Sequence, residues 1–204
     1  MFPHQNLSRL SSDFYSNETE TLAKKLLGKL IVKNVDGQTL SGMIVETEAY
    51  TQDDPASHSF KGIRNSNSMM FQNAGYLYVY TIYGRYFCGN IVSESEGVGA
   101  AVLIRGVEPI QGFSLMKENR IITSISKQLK EKDITNGPSK FCAAFNIDKS
   151  LNGTNLIESE SIYLTQFKEF ADSEIVITTR IGVHQGSEKL RRYYVRGNKF
   201  VSKQ

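Results

Sequence analysis

The amino-acid sequence predicts an α+β fold: one domain built on a curved, mainly antiparallel β-sheet, with flanking helices and a protruding β-hairpin. Runs of strand-forming residues at 30–35 and 39–50 lie on either side of the turn Asp36-Gly37, which is a strong signal for a hairpin. A second pair of strands lies in the most aromatic stretch, residues 76–92, and folds back at Tyr83-Gly84-Arg85. We expect the tip of this second hairpin to face outward.

Helices and three further strands complete the predicted fold. Asn17 and Glu20 have the spacing of a capping box at the start of the first helix. A second helix is expected to begin at Pro109, and residues 121–133 are expected to form a solvent-facing helix. Gly137-Pro138 is expected to lead into a further, short helix. The remaining strands are expected at Ile162–Thr165, Ile175–Thr179 and Tyr193–Arg196.

Length and composition restrict the class of protein. The 204 residues fit a single domain, 1–204, in which residues 1–12 form a loose N-terminal arm. No apolar run is long enough to span a membrane or to act as a secretory signal, so we expect an intracellular protein. Only Cys88 and Cys142 are present, without a Cys/His cluster, so neither a disulfide framework nor a structural zinc site is supported and we expect no metal.

The predicted strand that ends at Tyr50 carries the first candidate chemistry. Side chains alternate along a strand, so Glu46, Glu48 and Tyr50 share one face, while small or apolar residues form the other. Like charges at this spacing repel each other, and burial would increase the cost. The pair therefore either lies on the solvent face of the sheet or belongs to a functional site.

Further candidates follow along the chain. His58 lies in a long loop without periodicity, residues 51–71, and Tyr83 lies at the expected hairpin tip, where it could act as a wedge. Arg105 ends an apolar strand and needs an acidic partner, for which Glu46 and Glu48 are available. Residues 189–203 hold six Lys or Arg and no acid, which suits contact with phosphates.

These features combine in a known pattern. The sequence resembles the alkyladenine (3-methyladenine) DNA glycosylases of the mammalian type over nearly all of its length. The matching motifs, in chain order, are Val45-Glu46-Thr47-Glu48-Ala49-Tyr50, His58-Ser59, Met70-Phe71, Tyr78-Val79-Tyr80-Thr81-Ile82-Tyr83-Gly84, Cys88-Gly89-Asn90-Ile91, Val102-Leu103-Ile104-Arg105, Glu108-Pro109, Gly137-Pro138-Ser139-Lys140 and Tyr194-Val195-Arg196-Gly197.

The resemblance implies a monofunctional glycosylase that hydrolyses the N-glycosidic bond of alkylated or deaminated purines without metal or cofactor. It implies that Glu48 activates water and that Arg105 helps to hold that water and the carboxylate. It implies that a flipped base stacks between Tyr50, His58 and Tyr80. It also implies that Asn90 rejects normal guanine and that Tyr83 fills the gap left in the base stack.

The expected partner is duplex DNA that contains a damaged purine. We expect the protein to be a monomer and not to associate with a membrane. Arg64, Arg85 and Tyr86 are expected to contact the DNA. The compartment would be cytoplasmic in a bacterium and nuclear in a eukaryote. Two departures from the family pattern concern DNA contact: Ser66 stands before Asn67 where arginine is usual, and Arg85 stands where methionine is more frequent.

Two other functions stay open from the residues alone. A carbohydrate glycosidase could use Glu46 and Glu48 as an acid/base pair, because same-face neighbours on a strand lie roughly 7 Å apart, within the inverting range. A module that binds damaged or single-stranded nucleic acid would need the aromatic and basic residues, but would not need Glu48.

Overall fold

The computed structural model describes residues 7–123 and 128–203. This part of the chain forms four α-helices and eight strands: α1 (Ser12–Tyr15), α2 (Thr19–Lys25), β1 (Leu30–Val35), β2 (Gln38–Tyr50), β3 (Leu77–Ile82), β4 (Tyr86–Val92), β5 (Ala101–Gln111), α3 (Phe113–Thr123), α4 (Pro138–Ala144), β6 (Ile162–Thr165), β7 (Ile175–Thr178) and β8 (Arg192–Val195). Short 3-10 turns occur at Ser68–Phe71, Glu131–Asp133, Lys149–Leu151 and Asp172–Glu174.

All eight strands belong to one curled antiparallel sheet, which confirms the predicted α+β fold class. The main order is β3-β4-β5-β2-β1-β6. The long strand β2 pairs with β5 along one edge, while its other edge pairs first with β1 and then with β8, which also carries β7. β2 is therefore the strand on which the two parts of the sheet meet.

The pairing of β2 with β5 has three register shifts of one residue each, and two of them lie next to Glu46. Ile44 pairs with Val107 and Thr47 with Ile104, and between these pairs Glu46 faces Gly106. Val45 is thus one extra residue in β2, and Arg105 is one extra residue in β5. The two bulges compensate, so the register is the same on both sides of them.

Helices cover the sheet and complete the core. α2 packs on β2 and β5, α4 packs on β4 and β5, and α3 packs on α4. α2 can end against the sheet because Gly28 has a positive φ of 85°, and a Cβ there would lie 2.3 Å from the carbonyl oxygen of Lys168. The core includes buried residues of α2, the inner strands and α4, such as Leu22, Leu26, Val45, Ile104, Phe141 and Phe145.

The hairpin of β3 and β4 is confirmed, with its turn at residues 83–85. Tyr83 and Gly84 both have positive φ angles, 52° and 70°, and the Tyr83 side chain is 85% exposed. A left-handed backbone costs a residue with a Cβ about 1 kcal/mol or more. A large, exposed aromatic side chain in this conformation contributes little to folding, which is a reason to look for a function.

Two predicted helix starts are wrong. Asn17 does not begin α2, which starts at Thr19 after Glu18; its side-chain amide instead donates to two carbonyl groups at the end of α1, those of Asp13 and Phe14. Pro109 does not begin a helix either but lies inside β5, opposite Gly42. Proline is tolerated there because a register shift separates this pair from the next one.

The expected helix at residues 121–133 also differs from the structure. Residues 121–123 are the end of α3, and a 3-10 turn forms at Glu131–Asp133, while residues 124–127 lie outside the described residues. The short helix after Gly137 and the three C-terminal strands are confirmed, as α4, β6, β7 and β8.

Half of the predicted N-terminal arm is described, and it lies against β6. The backbone nitrogen of Leu10 donates to the carbonyl of Leu164 at 3.1 Å, and the nitrogen of Gln166 donates to the carbonyl of Ser8 at 2.9 Å. Residues 1–6 lie outside the described part of the chain. Within that part, no helix is long and apolar enough to cross a membrane.

Candidate active site

A cavity of about 320 Å³ opens on one face of the sheet. The register explains its position, because Arg192, Glu48, Leu103, Asn90 and Tyr78 are paired in a row across β8, β2, β5, β4 and β3. Directly paired residues share a face of the sheet, and the last three line the cavity. Same-face neighbours along the strands add four more lining residues, namely Tyr50, Tyr80, Cys88 and Arg105.

Glu48 lies directly behind the cavity wall and is fully buried. Its Oε2 accepts hydrogen bonds from the Tyr50 hydroxyl at 2.9 Å and from Nη1 of Arg105 at 3.3 Å. Its Oε1 accepts from the backbone nitrogen of Ile181 at 2.8 Å. A carboxylate oxygen can accept two hydrogen bonds, so Oε1 retains the capacity to bind a water molecule. The donors Tyr50, Arg105 and Ile181 all line the cavity.

Glu46 is also fully buried, but its partners belong to the protein frame. Its Oε1 accepts from Nε of Arg192 at 2.7 Å and from the Ser202 hydroxyl at 2.8 Å, and its Oε2 accepts from the Ser202 backbone nitrogen at 2.7 Å. Arg105 approaches the same carboxylate at 3.4 Å. The solvent-face interpretation of the carboxylate pair is therefore wrong, and Arg105 contacts both acids.

Aromatic rings line the cavity beside Glu48. The His58 ring lies edge-on to Tyr80, with centroids 4.5 Å apart, and its Nδ1 is 3.0 Å from the Tyr78 hydroxyl. Burial raises the pKa of Tyr78 to about 12 and raises the pKa values of Tyr50 and Tyr80 further. Burial of part of the imidazole lowers the pKa of His58, so this ring is neutral near pH 7. The aromatic walls are uncharged.

Asn67 fixes the position of His58. Its side-chain nitrogen donates to the carbonyls of His58 at 2.8 Å and Gly62 at 3.1 Å, and its Oδ1 accepts from the Arg64 nitrogen at 2.6 Å. The Asn67 side chain thereby links three positions of the loop between residues 58 and 67. Ser66, the residue that departs from the family pattern, is exposed beside it.

Asn90 occupies the cavity wall in a fixed orientation. Its side-chain nitrogen donates to the carbonyl of Tyr78 at 3.1 Å, and only 5% of the residue is exposed. This bond uses one of the two N–H groups of the amide nitrogen, so the second N–H and the side-chain oxygen are left to meet a ligand. Cys88, two residues before it, lies 3.9 Å from the Ser139 hydroxyl, and burial raises the pKa of its thiol.

A loop at residues 181–185 forms the other side of the cavity. It follows Arg180, whose side chain is fully buried in an ion pair with Asp54. Arg180 also donates to the carbonyls of Ala49 at 3.0 Å and Gly186 at 3.3 Å. The ion pair therefore ties this loop to the end of β2, next to Tyr50.

A groove of about 730 Å³ adjoins the cavity and shares several residues with it, including His58 and Tyr80. It extends to Tyr83 at the hairpin tip. Three cations line it, Lys61, Arg64 and Lys149, and no acidic residue does so among the described residues. This composition gives the groove a positive potential, which suits a nucleic-acid backbone.

Other predicted DNA contacts lie elsewhere. Arg85 stacks on the Tyr86 ring, 4.5 Å from its centroid, and donates to the Tyr86 hydroxyl. Both residues line a smaller cavity next to α3 and α4, rather than the groove. Two of the six cations in the basic C-terminal segment are held by acids, because Arg191 pairs with Glu20 at 2.8 Å and Arg192 pairs with Glu46, while Arg196, Lys199 and Lys203 are exposed.

Several residues of the site were not predicted. Lys61, Asp54 and Lys149 lie in loops whose sequence carries no distinctive pattern, and Arg180 lies between two strands far along the chain. The one signal for Asp54 is its position in the acidic pair that follows β2. Among the described residues, no group of three or more His, Cys, Asp or Glu side chains could hold a metal ion.

Comparison with known proteins identifies the family. The family described as methylpurine-DNA glycosylase matches residues 13–199. A protein of Clostridium perfringens, strain SM101, named as a candidate 3-methyladenine DNA glycosylase, is 45% identical over 205 residues, covering 96% of this chain and 99% of the relative. A protein of Clostridium botulinum, strain Loch Maree, with the same name is 43% identical over 201 residues, covering 95% and 98%.

A buried carboxylate behind an aromatic cavity, beside a cationic groove, suits an enzyme that acts on the bases of nucleic acids. Within this class, the chain belongs to the methylpurine-DNA glycosylase family. It is thus a DNA glycosylase, a hydrolase that cleaves N-glycosyl bonds.

Proposed function

We propose that this protein removes alkylated or deaminated purines from duplex DNA in base excision repair. It flips the damaged nucleotide into the cavity and hydrolyses the N-glycosidic bond with water activated by Glu48, leaving an abasic site. The observation that carries this proposal is the position of Glu48, whose three donors, Tyr50, Arg105 and Ile181, all line the cavity.

The surroundings of Glu48 suit a general base. Arg105 and the Ile181 backbone nitrogen hold the carboxylate in place by hydrogen bonds, and the remaining acceptor position on Oε1 is available to orient a water molecule. The alkylated purine carries a positive charge, which already weakens its bond to the sugar. For such a purine, the main task of the protein in the hydrolysis is to deprotonate the attacking water.

The aromatic walls suit a flipped purine. Tyr50, Tyr80 and the neutral His58 present π faces and edges to the cavity, and such surfaces attract a cationic ring more strongly than a neutral one. Asn90 contributes an amide next to the space for the base, where it would meet the exocyclic amino group of guanine. The cavity volume lies in the range typical of small-ligand sites.

The groove and the hairpin tip suit the DNA itself. Lys61, Arg64 and Lys149 would contact phosphates, and the exposed Tyr83 would fill the space that the flipped base leaves. Flipping costs a few kcal/mol, and the cost is least at weakened base pairs. A fixed wedge at the tip of a hairpin stabilises the flipped state.

The carbohydrate glycosidase is disfavoured by the hydrogen bonds of Glu46. An acid/base pair needs two carboxylates at the substrate, and both oxygens of Glu46 accept hydrogen bonds from Ser202 instead. Neither carboxylate lines the cavity itself, but the three donors to Glu48 do so, whereas Arg192 and Ser202, which hold Glu46, do not.

An excision assay tests the proposal. Duplexes that contain 7-methylguanine, hypoxanthine or ethenoadenine are incubated with the protein, and released base and abasic sites are measured beside an undamaged duplex. We expect release of at least one damaged purine and none from the undamaged duplex. Binding to damaged duplexes without release of any base would support the non-catalytic binding module instead. Light scattering with and without DNA tests the expected monomer.

A further inference from the structure

Tyr50 has a buried cation behind its ring. The guanidinium carbon of Arg180 lies 4.6 Å from the ring centroid of Tyr50. Tyr50 lines the cavity, but Arg180 does not, and the Arg180 side chain is fully buried. The aromatic wall therefore separates this cation from the space that holds the base.

A cation at this position opposes the proposed substrate. It attracts the π electrons of the Tyr50 ring to its own side and repels a second positive charge on the other face. Left unpaired, Arg180 would weaken the binding of a cationic purine more than that of a neutral one.

Asp54 supplies the compensating charge. Its carboxylate is fully buried and receives both terminal nitrogens of Arg180, with Nη2 at 3.0 Å from Oδ1. Burial alone would raise the pKa of Asp54, but hydrogen bonds from Arg180 and Ala56 hold it below its ordinary value, so the carboxylate is charged. A second cation, Arg191, contacts Oδ2 at 3.2 Å but is also paired with Glu20.

We propose that Asp54 is a specificity-determining residue: by neutralising Arg180 behind Tyr50, it allows the cavity to accept positively charged purines. This inference rests on the proposed function, because it concerns which purines that site prefers. Asp54 does not touch the base, so it acts through Tyr50 and is a positioning residue rather than a catalytic one.

The expected size of the effect follows from the geometry. A purine stacked on the cavity face of Tyr50 would lie roughly 8 Å from the guanidinium, where one uncompensated charge changes affinity on the order of ten-fold in a protein-like dielectric medium. A neutral purine in the same position is affected far less. The ratio of the two affinities therefore isolates the charge effect from general damage to the fold.

The experiment measures binding to two duplexes that resist cleavage through a 2′-fluoro sugar, one with cationic 7-methylguanine and one with neutral ethenoadenine. The preference is the ratio of their dissociation constants. In Asp54→Asn we expect the preference for 7-methylguanine to fall about ten-fold relative to the unmutated protein. An equal loss of both affinities would show that Asp54 only supports the fold and would overturn the proposal.

Two further variants keep the test decisive if Asp54→Asn folds poorly. Arg180→Met removes the cation while Asp54 keeps Arg191 as a partner, so the preference for 7-methylguanine should rise. The double variant Arg180→Met/Asp54→Asn should return it towards the original value. Asp172→Asn is the matched control, since it breaks an exposed pair with Lys24 and should leave the ratio unchanged.

The outcomes separate this inference from the proposed function. If the unmutated protein releases no purine and binds neither duplex, the proposed function is wrong. If it releases damaged purines, but the preference stays the same in both Asp54→Asn and Arg180→Met, only the inference about Asp54 is wrong.

Discussion

Glu46 and Glu48 lie two residues apart on the same face of β2, and both are fully buried, yet their surroundings differ. Glu46 is surrounded by Arg192, Arg105 and Ser202, which join β8, β5 and the C-terminal segment to β2. Glu48 is held by three groups that line the cavity. Arg105 contacts both carboxylates, so the proposed difference in their roles rests on the other neighbours: Arg192 and Ser202 lie outside the cavity lining, whereas Tyr50 and Ile181 belong to it.

The largest effect is expected from Glu48→Gln. Removal of a general base slows a reaction about 10²- to 10⁴-fold, so release of hypoxanthine under single-turnover conditions should fall within that range. Binding to duplexes with ethenoadenine or an abasic analogue should persist, because the aromatic walls and the groove remain. Release at the unmutated rate would remove Glu48 from the mechanism.

A different result is expected from Glu46→Gln, the matched variant on the same strand. Loss of the charge leaves Arg192 without its buried anion and should lower the free energy of unfolding by about 3 kcal/mol, measured by chemical denaturation. The release rate of the protein that remains folded should stay within a few-fold of the original. A loss of release as large as that of Glu48→Gln, without loss of stability, would show that both carboxylates are catalytic.

A smaller effect is expected from Tyr83→Ala at the hairpin tip. The side chain is exposed, and alanine keeps a Cβ in the same left-handed backbone, so stability should be unchanged within about 0.5 kcal/mol. Affinity for a duplex with a flipped base should fall about ten-fold, which corresponds to the loss of one aromatic stacking contact. The control is Phe167→Ala, a large exposed residue after β6 that lines neither the groove nor the cavity of Arg85 and Tyr86, and equal affinity is expected for it.

The smallest effect concerns His58 and pH. Its pKa in the folded protein is lowered from 6.5, so the unfolded chain binds more protons below pH 6.5 and stability falls as the pH falls through this window. Between pH 7.5 and 5.5 the unmutated protein should therefore lose more stability than His58→Gln, as measured by denaturant midpoints. An identical pH dependence in both would contradict the assigned direction of the shift. His184→Gln, an exposed histidine, is the control.

The sequence predicts much of the fold because local patterns determine it. Alternation along β2 places Glu46, Glu48 and Tyr50 on one face, and the turn at Asp36-Gly37 sets the first hairpin, both as observed. The predicted helix start at Pro109 is wrong, because a strand can accept proline at this position only next to a register shift, and that shift becomes visible only in the pairing of β5 with β2.

The site is less predictable because its contacts join distant parts of the chain. Ser202, which donates hydrogen bonds to Glu46, is 156 residues away from it along the chain. Arg180, which lies behind Tyr50, is 126 residues away from its partner Asp54. Charge counts also mislead. Arg191 and Arg192 suggest a surface for phosphates, but Arg191 is paired with Glu20 and Arg192 with the buried Glu46, while the groove takes Lys61 from a loop.

The bulges at Val45 and Arg105 each hold one residue that the ladder of β2 and β5 does not need. Deletion of either residue alone would remove its own bulge and leave the pairs on both sides in place, with Tyr50 and Leu103 still on the cavity face. The two deletions would differ in chemistry, because only loss of Arg105 takes away the cation that contacts both carboxylates. A chain that lacks Val45 is therefore expected to keep its sheet and its activity, whereas a chain that lacks Arg105 is expected to keep the sheet and lose activity.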